Sequence, residues 1–480
     1  MRVLADFVIL FPQQSSHFCR FVVPSRNVLS AAALKPSILA KPVFSTSEEG
    51  YQLASIAQPN LWAGLTRIAI VFNAGSRHEP SCKDRGITHL IRRAFGMSTP
   101  QFTAANLTRH FQQMGARVVC TTTREHMIYT VDVAPNFATR AGYLLAEMAT
   151  NQAYYSWELK STVNKLMKKD IELLNRRHLE ALSMELLHEA AFGTSPSGSG
   201  LGNPLVAPMD RVGSYSLEQI EEFHKHFFTP TKCTMALVGN NDTSEAGIEQ
   251  LHEIKAGLRV RPPHVLPASG VPHGFVGGEI RRDLAAATEA YAQIAWPTSG
   301  DGPDKLSFDL AACLLTGAMN RISFGGNGSR ERLNTGLHEN DPTRTVAFHK
   351  AYTDNGLFGL SLRGPCALLI NDRLSQVIRM MRNLKITSEQ LNNAKSICKA
   401  NILMDLECPA NLGIDLAIQA SKQNHTYETP ESRAARVDSV DASAVNAALQ
   451  KALKSPLVAL SVVGLDAGFV LPLPVLLSTK

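Results

Sequence analysis

Apolar and polar positions along the chain form two sets of elements that occur in the same order. Short, largely apolar segments, each closed by a Gly/Ser pair (residues 75–76 and 299–300), predict strands at residues 67–72 and 290–296. A helix is predicted after each strand, at residues 86–95 and at residues 305–319. The two strand–helix pairs are the first sign that the chain contains one structural unit twice.

A β-hairpin is predicted next in both sets. Residues 118–123 and 128–133 form the first hairpin, and residues 345–352 and 357–362 form the second. The second hairpin turns at Asp354-Asn355-Gly356, and an Asn-Gly pair is favoured in tight turns because both residues tolerate positive φ.

Two further helices follow each hairpin. In the first set they lie near residues 137–150 and from Ser156 onward, and in the second near residues 368–384 and from Ser388 onward. Ser156 and Ser388 are the predicted N-caps, because a serine hydroxyl accepts a hydrogen bond from the first helical turn.

A last helix and strand close each set. Ser216 and Gln219 have the spacing of a capping box, and the helix that they begin leads to a strand at residues 235–239. Asp441 begins the matching helix, which leads to a strand at residues 460–464.

The repeated order predicts an α+β protein with two similar domains, each a mainly antiparallel sheet with helices packed on one face. The predicted domains are residues 46–258 and residues 275–480. Residues 259–274 contain four prolines, which is typical of a semi-rigid linker.

Residues 1–45 differ in composition from the rest, and we interpret them as a mitochondrial transit peptide that ends near this point. The alternative is a disordered basic tail. The bases outnumber the single acid, Asp6, and are Arg2, Arg20, Arg26, Lys35 and Lys41. Without this segment the formal net charge falls from +6 to about +2, so no general attraction to nucleic acid is expected.

The cysteine spacing argues against disulfides and a metal cluster, and the hydropathy argues against a membrane-spanning helix. The eight cysteines form no C-x-x-C pair, so we expect buried small side chains in a reducing compartment rather than disulfides or a metal cluster. No run of 18 apolar residues occurs, so no membrane-spanning helix is predicted. The apolar tail at residues 468–477 is interrupted by two prolines and is interpreted as a docked terminus or a partner contact.

The helix at residues 86–95 has the frame of an inverted zinc motif, His-x-x-Glu-His, but not its residues. His89 holds the first position, whereas Arg92 and Arg93 stand where the glutamate and the second histidine are needed. A guanidinium has no lone pair to give to a metal. The apolar stripe of this helix is Ile87, Leu90, Ile91, Ala94 and Phe95, so His89 and the two arginines are expected on an opposite, solvated face.

Two other histidine patterns lack the requirements of a metal site. His188-Glu189 begins a His-Glu-x-x-His frame, but Phe192 stands at the second ligand position. His224 and His226 are two residues apart, a spacing that a helix points in different directions.

The degenerate helix, the repeat and the proline-rich linker together resemble the pitrilysin and mitochondrial processing peptidase family. The likeness is greatest to its non-peptidase members, the core subunits of the mitochondrial ubiquinol–cytochrome c reductase. The phrases that carry the resemblance lie at residues 74–79, 86–92, 123–131, 187–192, 278–281 and 352–359.

The resemblance implies that no catalytic residue is retained and that neither a metal nor a cofactor is bound. The distal acidic ligand of the family would fall near Asp170 or Glu172. An acid in a lysine-rich helix is more typical of an ion-paired surface group, and Lys165, Lys168 and Lys169 surround this position.

The function implied by the resemblance is that of a non-catalytic core subunit, peripheral to the mitochondrial inner membrane on its matrix side. Such a subunit pairs with a sister core subunit, lies under cytochrome b and supports assembly of the complex. The alternative is a non-catalytic, precursor-binding subunit of a mitochondrial processing peptidase with a zinc-bearing partner. A self-sufficient zinc peptidase is disfavoured by Arg92 and Arg93.

One glycine-rich segment keeps the alternative open. Gly325, Gly326, Asn327 and Gly328 resemble in character the loop with which the non-catalytic processing-peptidase subunit captures precursor peptides. The segment lacks the Gly-Lys-Ser/Thr ending of a phosphate loop. A plain surface connection is the usual interpretation of such a glycine run.

Overall fold

The computed structural model describes residues 41–57, 64–193, 200–239, 243–260, 274–284, 287–316, 343–422 and 427–478. Three of the predicted features lie mostly or wholly outside these residues. They are residues 1–40 of the predicted leader, residues 261–273 of the predicted linker, and the glycine-rich loop at residues 325–328.

Two β-sheets organise the chain. The strands of the first sheet are β1 (Val43–Thr46), β2 (Gln52–Ala57), β3 (Thr66–Phe72), β4 (Arg117–Thr122), β5 (Met127–Val133) and β6 (Cys233–Gly239). The strands of the second are β7 (Gly278–Asp283), β8 (Ala290–Ser299), β9 (Arg344–Ala351), β10 (Asn355–Gly364) and β11 (Ala459–Gly464). Because β1 includes residues 43–45, the end of the predicted leader lies within the first sheet.

Apart from the edge strand β1, the two sheets have the same topology, which confirms the predicted duplication. The first has the order β1-β2-β6-β3-β5-β4 and the second the order β7-β11-β8-β10-β9. In each sheet the first strand of the shared unit pairs in parallel with the last, β2 with β6 and β7 with β11. The remaining pairs are antiparallel, so the predicted α+β class with mainly antiparallel sheets is confirmed.

Fifteen α-helices occur among the described residues, some of them very short. In the first half they are α1 (Ile87–Ala94), α2 (Ala104–Gln113), α3 (Ala138–Thr150), α4 (Ser156–Glu158), α5 (Asn164–Arg176), α6 (Leu179–Phe192), α7 (Leu217–Phe227) and α8 (Ser244–Lys255). In the second they are α9 (Lys305–Thr316), α10 (Ala367–Arg382), α11 (Ser388–Glu407), α12 (Pro409–Ser421), α13 (Pro430–Asp438), α14 (Ala442–Leu453) and α15 (Leu473–Ser478). A π-helical turn, Leu159–Val163, joins α4 to α5. Among all the residues that the structure describes, no helix is both long and apolar enough to cross a bilayer.

The helix starts show how far local sequence determines an element. The capping box of Ser216 and Gln219 is present as predicted, with both reciprocal hydrogen bonds. The predicted N-cap at Ser388 is wrong, because Thr387 accepts the hydrogen bond from the amide of Gln390 and forms the box instead. The predicted N-cap at Ser156 is also wrong, since Tyr155 precedes the helix and makes no side-chain cap.

One face of each sheet packs against helices of its own half, as predicted. In β3 the side chains of Ile68, Ile70 and Phe72 point into a core completed by α1, α3 and α8. In the second sheet the same face packs on α9, α10 and α14. The alternation of side chains along a strand places the residues between these on the opposite face.

The opposite face of the first sheet is covered by α12, which belongs to the second half. Ala69 and Val71 of β3 are fully buried against this helix, together with Val238 of β6. Leu416 of α12 is itself fully buried there. Gly413 lets the helix approach, because a Cβ at this position would lie 3.2 Å from Cδ of Arg67.

The opposite face of the second sheet is covered in return by α6, which belongs to the first half. α6 packs on β7, β8 and β11. The hydroxyl of Ser183 lies 2.9 Å from that of Ser461, and Gln293 Nε2 donates to the carbonyl of Glu180 at 3.3 Å. Since α6 and α12 follow the same hairpin–helix sequence in the two repeats, the halves exchange equivalent helices.

The exchange predicts that a single truncation in α12 destabilises the first sheet. For Leu416→Ala we expect the free energy of unfolding to fall by about 2–5 kcal/mol, as for other buried leucines. Chemical denaturation followed by circular dichroism measures this value. Leu403→Ala, at an exposed position of α11, is the matched control and should change it by less than about 0.5 kcal/mol. A Leu416→Ala value as small as that of the control would mean that α12 contributes little to the first sheet.

Candidate functional site

The helix that carries the altered zinc motif, α1, has its start fixed by two features. Gly86 precedes it at φ +83°, and a Cβ there would lie 2.3 Å from Cβ of Ala207, so glycine is required. The carboxylate of Glu79 accepts hydrogen bonds from the amides of Gly86 and Thr88 and from the hydroxyl of Thr88. Burial raises the pKa of Glu79 to about 8, although these three donors act in the opposite direction.

The expected solvated face of α1 is wrong. His89 is fully buried, and the side chains of Arg92 and Arg93 are only 13% and 12% exposed. The reason is that α5 packs against this side of the helix, while the apolar stripe enters the core of the first sheet. Hydrophobic periodicity identifies the apolar side of a helix but does not reveal that the polar side is also covered.

Asp170, on α5, is the acid that meets this motif. Its Oδ2 lies 2.9 Å from Nε2 of His89, and its two oxygens accept a bidentate pair of hydrogen bonds from Nε and Nη2 of Arg93. The side chain is only 5% exposed, so the interpretation as a surface group is wrong even though an ion pair is present. Glu172, the other candidate, is exposed to solvent.

The hydrogen bonds fix the protonation of His89. Its Nδ1 accepts from the backbone amide of Ala207 at 3.1 Å, so Nε2 carries the proton and donates it to Asp170. Burial lowers the pKa of His89 to about 4, which keeps the ring neutral at pH 7. Burial would raise the pKa of Asp170, but the hydrogen bonds from His89 and Arg93 outweigh it and the pKa falls below its ordinary value.

These residues do not fit a zinc ion. Both ring nitrogens of His89 are engaged, and both carboxylate oxygens of Asp170 are held by Arg93. Neither guanidinium offers a lone pair. Within the part of the chain that the structure describes, no group of three or more His, Cys, Asp or Glu side chains is arranged to hold a metal.

Arg92 differs from its neighbour in having no such partner. Its Nη2 is 4.0 Å from Oδ2 of Asp170, and its Nε and Nη2 are buried without a hydrogen bond among the described residues. Burial and the charge of Arg93 both lower the pKa of Arg92. The carboxylate of Asp170 is therefore hydrogen-bonded to the guanidinium of Arg93 but not to that of Arg92.

Beside this site, a polar junction links the two halves of the chain. Arg77 Nη1 lies 2.6 Å from Glu125 Oε1, and Arg77 Nη2 lies 2.8 Å from Asp354 Oδ2. The amide and hydroxyl of Thr353 both donate to Glu125, at 3.0 and 2.8 Å. Gly75 permits the close approach, because a Cβ there would lie 2.3 Å from the backbone of Arg124.

A second group of contacts continues the junction into α6. Arg124 Nη2 donates to Glu185 Oε1 at 2.9 Å. His188 donates from Nδ1 to the carbonyl of Met184 and accepts at Nε2 from the hydroxyl of Tyr352, both at 2.7 Å. Burial and the charge of Arg124 hold the pKa of His188 well below its ordinary value.

This junction was not predicted from the sequence. It brings together residues 74–79, 123–131 and 352–359, three of the segments that carry the family resemblance. Each phrase is a short turn with polar side chains, and such turns do not indicate their partners. One signal in the sequence could have indicated the junction: three polar turns each follow a predicted strand or join two predicted strands.

The fold and the site define the class of the protein. A duplicated α+β unit whose first half carries an inverted zinc motif is the architecture of the two-domain zinc peptidases, and here two residues of that motif are arginines. The family Insulinase (Peptidase family M16) matches residues 60–205, and the family Peptidase M16 inactive domain matches residues 214–398. The chain belongs to peptidase family M16.

Curated relatives cover most of the chain. Cytochrome b-c1 complex subunit 2 of Mus musculus is 27% identical over 416 residues, covering 84% of this chain and 86% of the relative. The Homo sapiens subunit is 26% identical over 454 residues, covering 91% and 93%. The mitochondrial-processing peptidase subunit alpha of Solanum tuberosum is 26% identical over 428 residues, covering 87% and 81%. The predicted resemblance to this family, and to core protein 2 of the reductase within it, is confirmed.

The ion pair predicts opposite behaviour for two adjacent arginines. Arg93→Met leaves Asp170 buried without its bidentate partner, and we expect the free energy of unfolding to fall by roughly 3 kcal/mol. Arg92→Met removes a buried cation that lacks a hydrogen-bonded partner, so stability should stay unchanged or rise. Urea denaturation of both variants tests this. Equal losses would show that the two guanidinium groups share Asp170 equally.

The neutral state of His89 predicts a specific pH dependence. The pKa of His89 is about 4 in the folded chain and about 6.5 when unfolded, so the unfolded state binds more protons between these values. Stability contributed by this residue is therefore present above pH 6.5 and is lost as the pH falls toward 4, by roughly 3 kcal/mol.

The measurement is the free energy of unfolding at several pH values for the parent and for His89→Gln, which does not titrate. The variant should show a flatter profile between pH 6.5 and 4. His110→Gln, at a half-exposed position of α2, is the control and should keep the parental slope. A parental slope in His89→Gln would mean that another group is responsible for the acid sensitivity.

Proposed function

We propose that the chain is a non-catalytic core subunit of the mitochondrial ubiquinol–cytochrome c reductase. The observation that carries the proposal is the arrangement around Asp170, where Arg93 occupies the position at which a peptidase of this family needs a metal ligand. The near full-length similarity to subunit 2 of the cytochrome b-c1 complex supports the same role.

The location follows from this proposal. The subunit is peripheral to the inner membrane on its matrix side, pairs with a sister core subunit and lies under cytochrome b. The part of residues 1–45 that precedes β1 directs it to the mitochondrion. Residues 46–258, together with the start of β1, and residues 275–480 are its two domains, joined by residues 259–274. It supports assembly and stability of the complex, binds neither a metal nor a cofactor, and has no peptidase activity.

A second candidate is the non-catalytic, precursor-binding subunit of a mitochondrial processing peptidase. Its support is the similarity to a processing-peptidase subunit alpha at almost the same identity and coverage. The peptide-capturing loop that this role requires would be Gly325, Gly326, Asn327 and Gly328, which lie outside the described residues.

Native-gel separation of gently solubilised mitochondria, with mass spectrometry of the band that contains this chain, distinguishes the two roles. We expect co-migration with cytochrome b, the Rieske protein and a sister core subunit. A smaller soluble band shared with one partner that has an intact His-x-x-Glu-His motif would assign the chain to the processing peptidase instead.

Metal analysis of the purified chain tests the catalytic part of the proposal separately. We expect zinc far below one equivalent, because His89 and Asp170 have no free ligand position. Arg92→Glu with Arg93→His rebuilds the motif on paper and serves as the comparison. Near-stoichiometric zinc in the unaltered chain would overturn the non-catalytic assignment.

A further inference from the structure

The helical segment from α4 through the π-helical turn into α5 has one side that no part of the described chain covers. Its inner side contributes Val163, Met167, Ile171 and Leu174 to the interior, at spacings of three or four residues. The opposite side carries four exposed lysines, which are Lys160, Lys165, Lys168 and Lys169. A regular helix places residues 165, 168 and 169 on the same side.

These lysines are not neutralised. None of the four makes an ion pair or a hydrogen bond with another described residue. The acid next to Lys169 in the chain, Asp170, is buried and is hydrogen-bonded to Arg93. The other acid of α5 is Glu172, so cations outnumber acids on this exposed side. A concentration of like charge without partners raises the local potential and attracts an anionic surface.

Two aromatic side chains stand at the start of the same segment. Trp157 is 62% exposed and Tyr155 is 42% exposed, although large aromatic side chains are usually well buried. Their rings are stacked, with centroids 6.1 Å apart and planes 11° from parallel. Tryptophan and tyrosine beside lysines are the side chains that settle at the headgroup level of a bilayer.

We propose that this side of the α4–α5 segment is a docking surface for an anionic lipid bilayer. The lysines contact lipid phosphates and Trp157 and Tyr155 enter the headgroup layer. The inference goes beyond the proposed function, because it assigns a membrane contact to this chain itself and does not need the other subunits of a complex.

The fluorescence of Trp157 reports this contact locally in the full chain. Among the chain's three tryptophans, Trp296 is buried, and Trp157→Phe gives the signal of the remaining two. On adding phosphatidylcholine vesicles that contain phosphatidylglycerol, we expect the Trp157 emission to shift to shorter wavelength. Vesicles of phosphatidylcholine alone should give no shift, and added salt should weaken the response.

A pair of variants with equal charge change isolates the surface. Lys165→Gln, Lys168→Gln and Lys169→Gln together should lower the apparent affinity for the anionic vesicles by about tenfold or more, since each lysine near such a surface contributes to binding. The control replaces three exposed lysines of the second half, Lys385, Lys451 and Lys454, with glutamine and should retain the parental affinity.

Several outcomes contradict the proposal. It fails if anionic vesicles do not shift the Trp157 emission, or if the two triple variants lose affinity equally. A shift produced by single-stranded RNA but not by vesicles would identify a different polyanion. If a purified sister subunit shifts the emission and vesicles do not, the surface is a protein interface and the lipid assignment is wrong.

Discussion

The mutual covering of the two sheets is the constraint on which the rest of the structure depends. Each sheet has two apolar faces but receives helices from its own half on only one of them. α12 covers the far side of the first sheet and α6 covers the far side of the second. Leaving an apolar sheet face of this size in contact with water would lower the free energy of unfolding, so each half needs a helix of the other half to complete its core. The exchange also brings α6 to the polar junction, where Arg124 holds Glu185 and Tyr352 meets His188.

A buried ion pair joins α1 to α5 at the altered zinc motif. A zinc ion would join α1 to α5 through ligands from both helices. Here the bidentate contact of Arg93 with Asp170 makes the same connection, and the neutral ring of His89 adds a hydrogen bond from α1. A guanidinium and a carboxylate in this geometry satisfy one another while excluding a metal. The pair therefore connects the two helices and leaves no open coordination position on His89 or Asp170.

Local patterns in the sequence predicted much of the fold but little of the site's environment. The apolar segment at residues 67–72 and the two hairpins predicted strands that the structure contains, and the repeated order predicted two similar sheets. The strands β1, β2 and β7 and the helices α2, α6, α8, α12, α13 and α15 were not predicted. The sequence limited the candidates for the distal acidic residue to Asp170 and Glu172. It could not show that Asp170 is buried, because this burial depends on the packing of α1 against α5. Partners far apart in the chain, such as Arg77 with Asp354, leave no trace in a short window of sequence.

The exchange of helices has a consequence for the order in which the chain becomes structured. The first sheet is finished only when residues 409–421 arrive, long after its own last strand, β6, has been made. A chain that emerges from its N-terminus, whether from a ribosome or through a translocation pore, therefore exposes the apolar side of its first sheet while the 169 residues between β6 and α12 are still emerging. Such a chain folds through long-range contacts and is open to aggregation in the interval. This exposure during synthesis follows from the topology and does not depend on how stable the finished protein is.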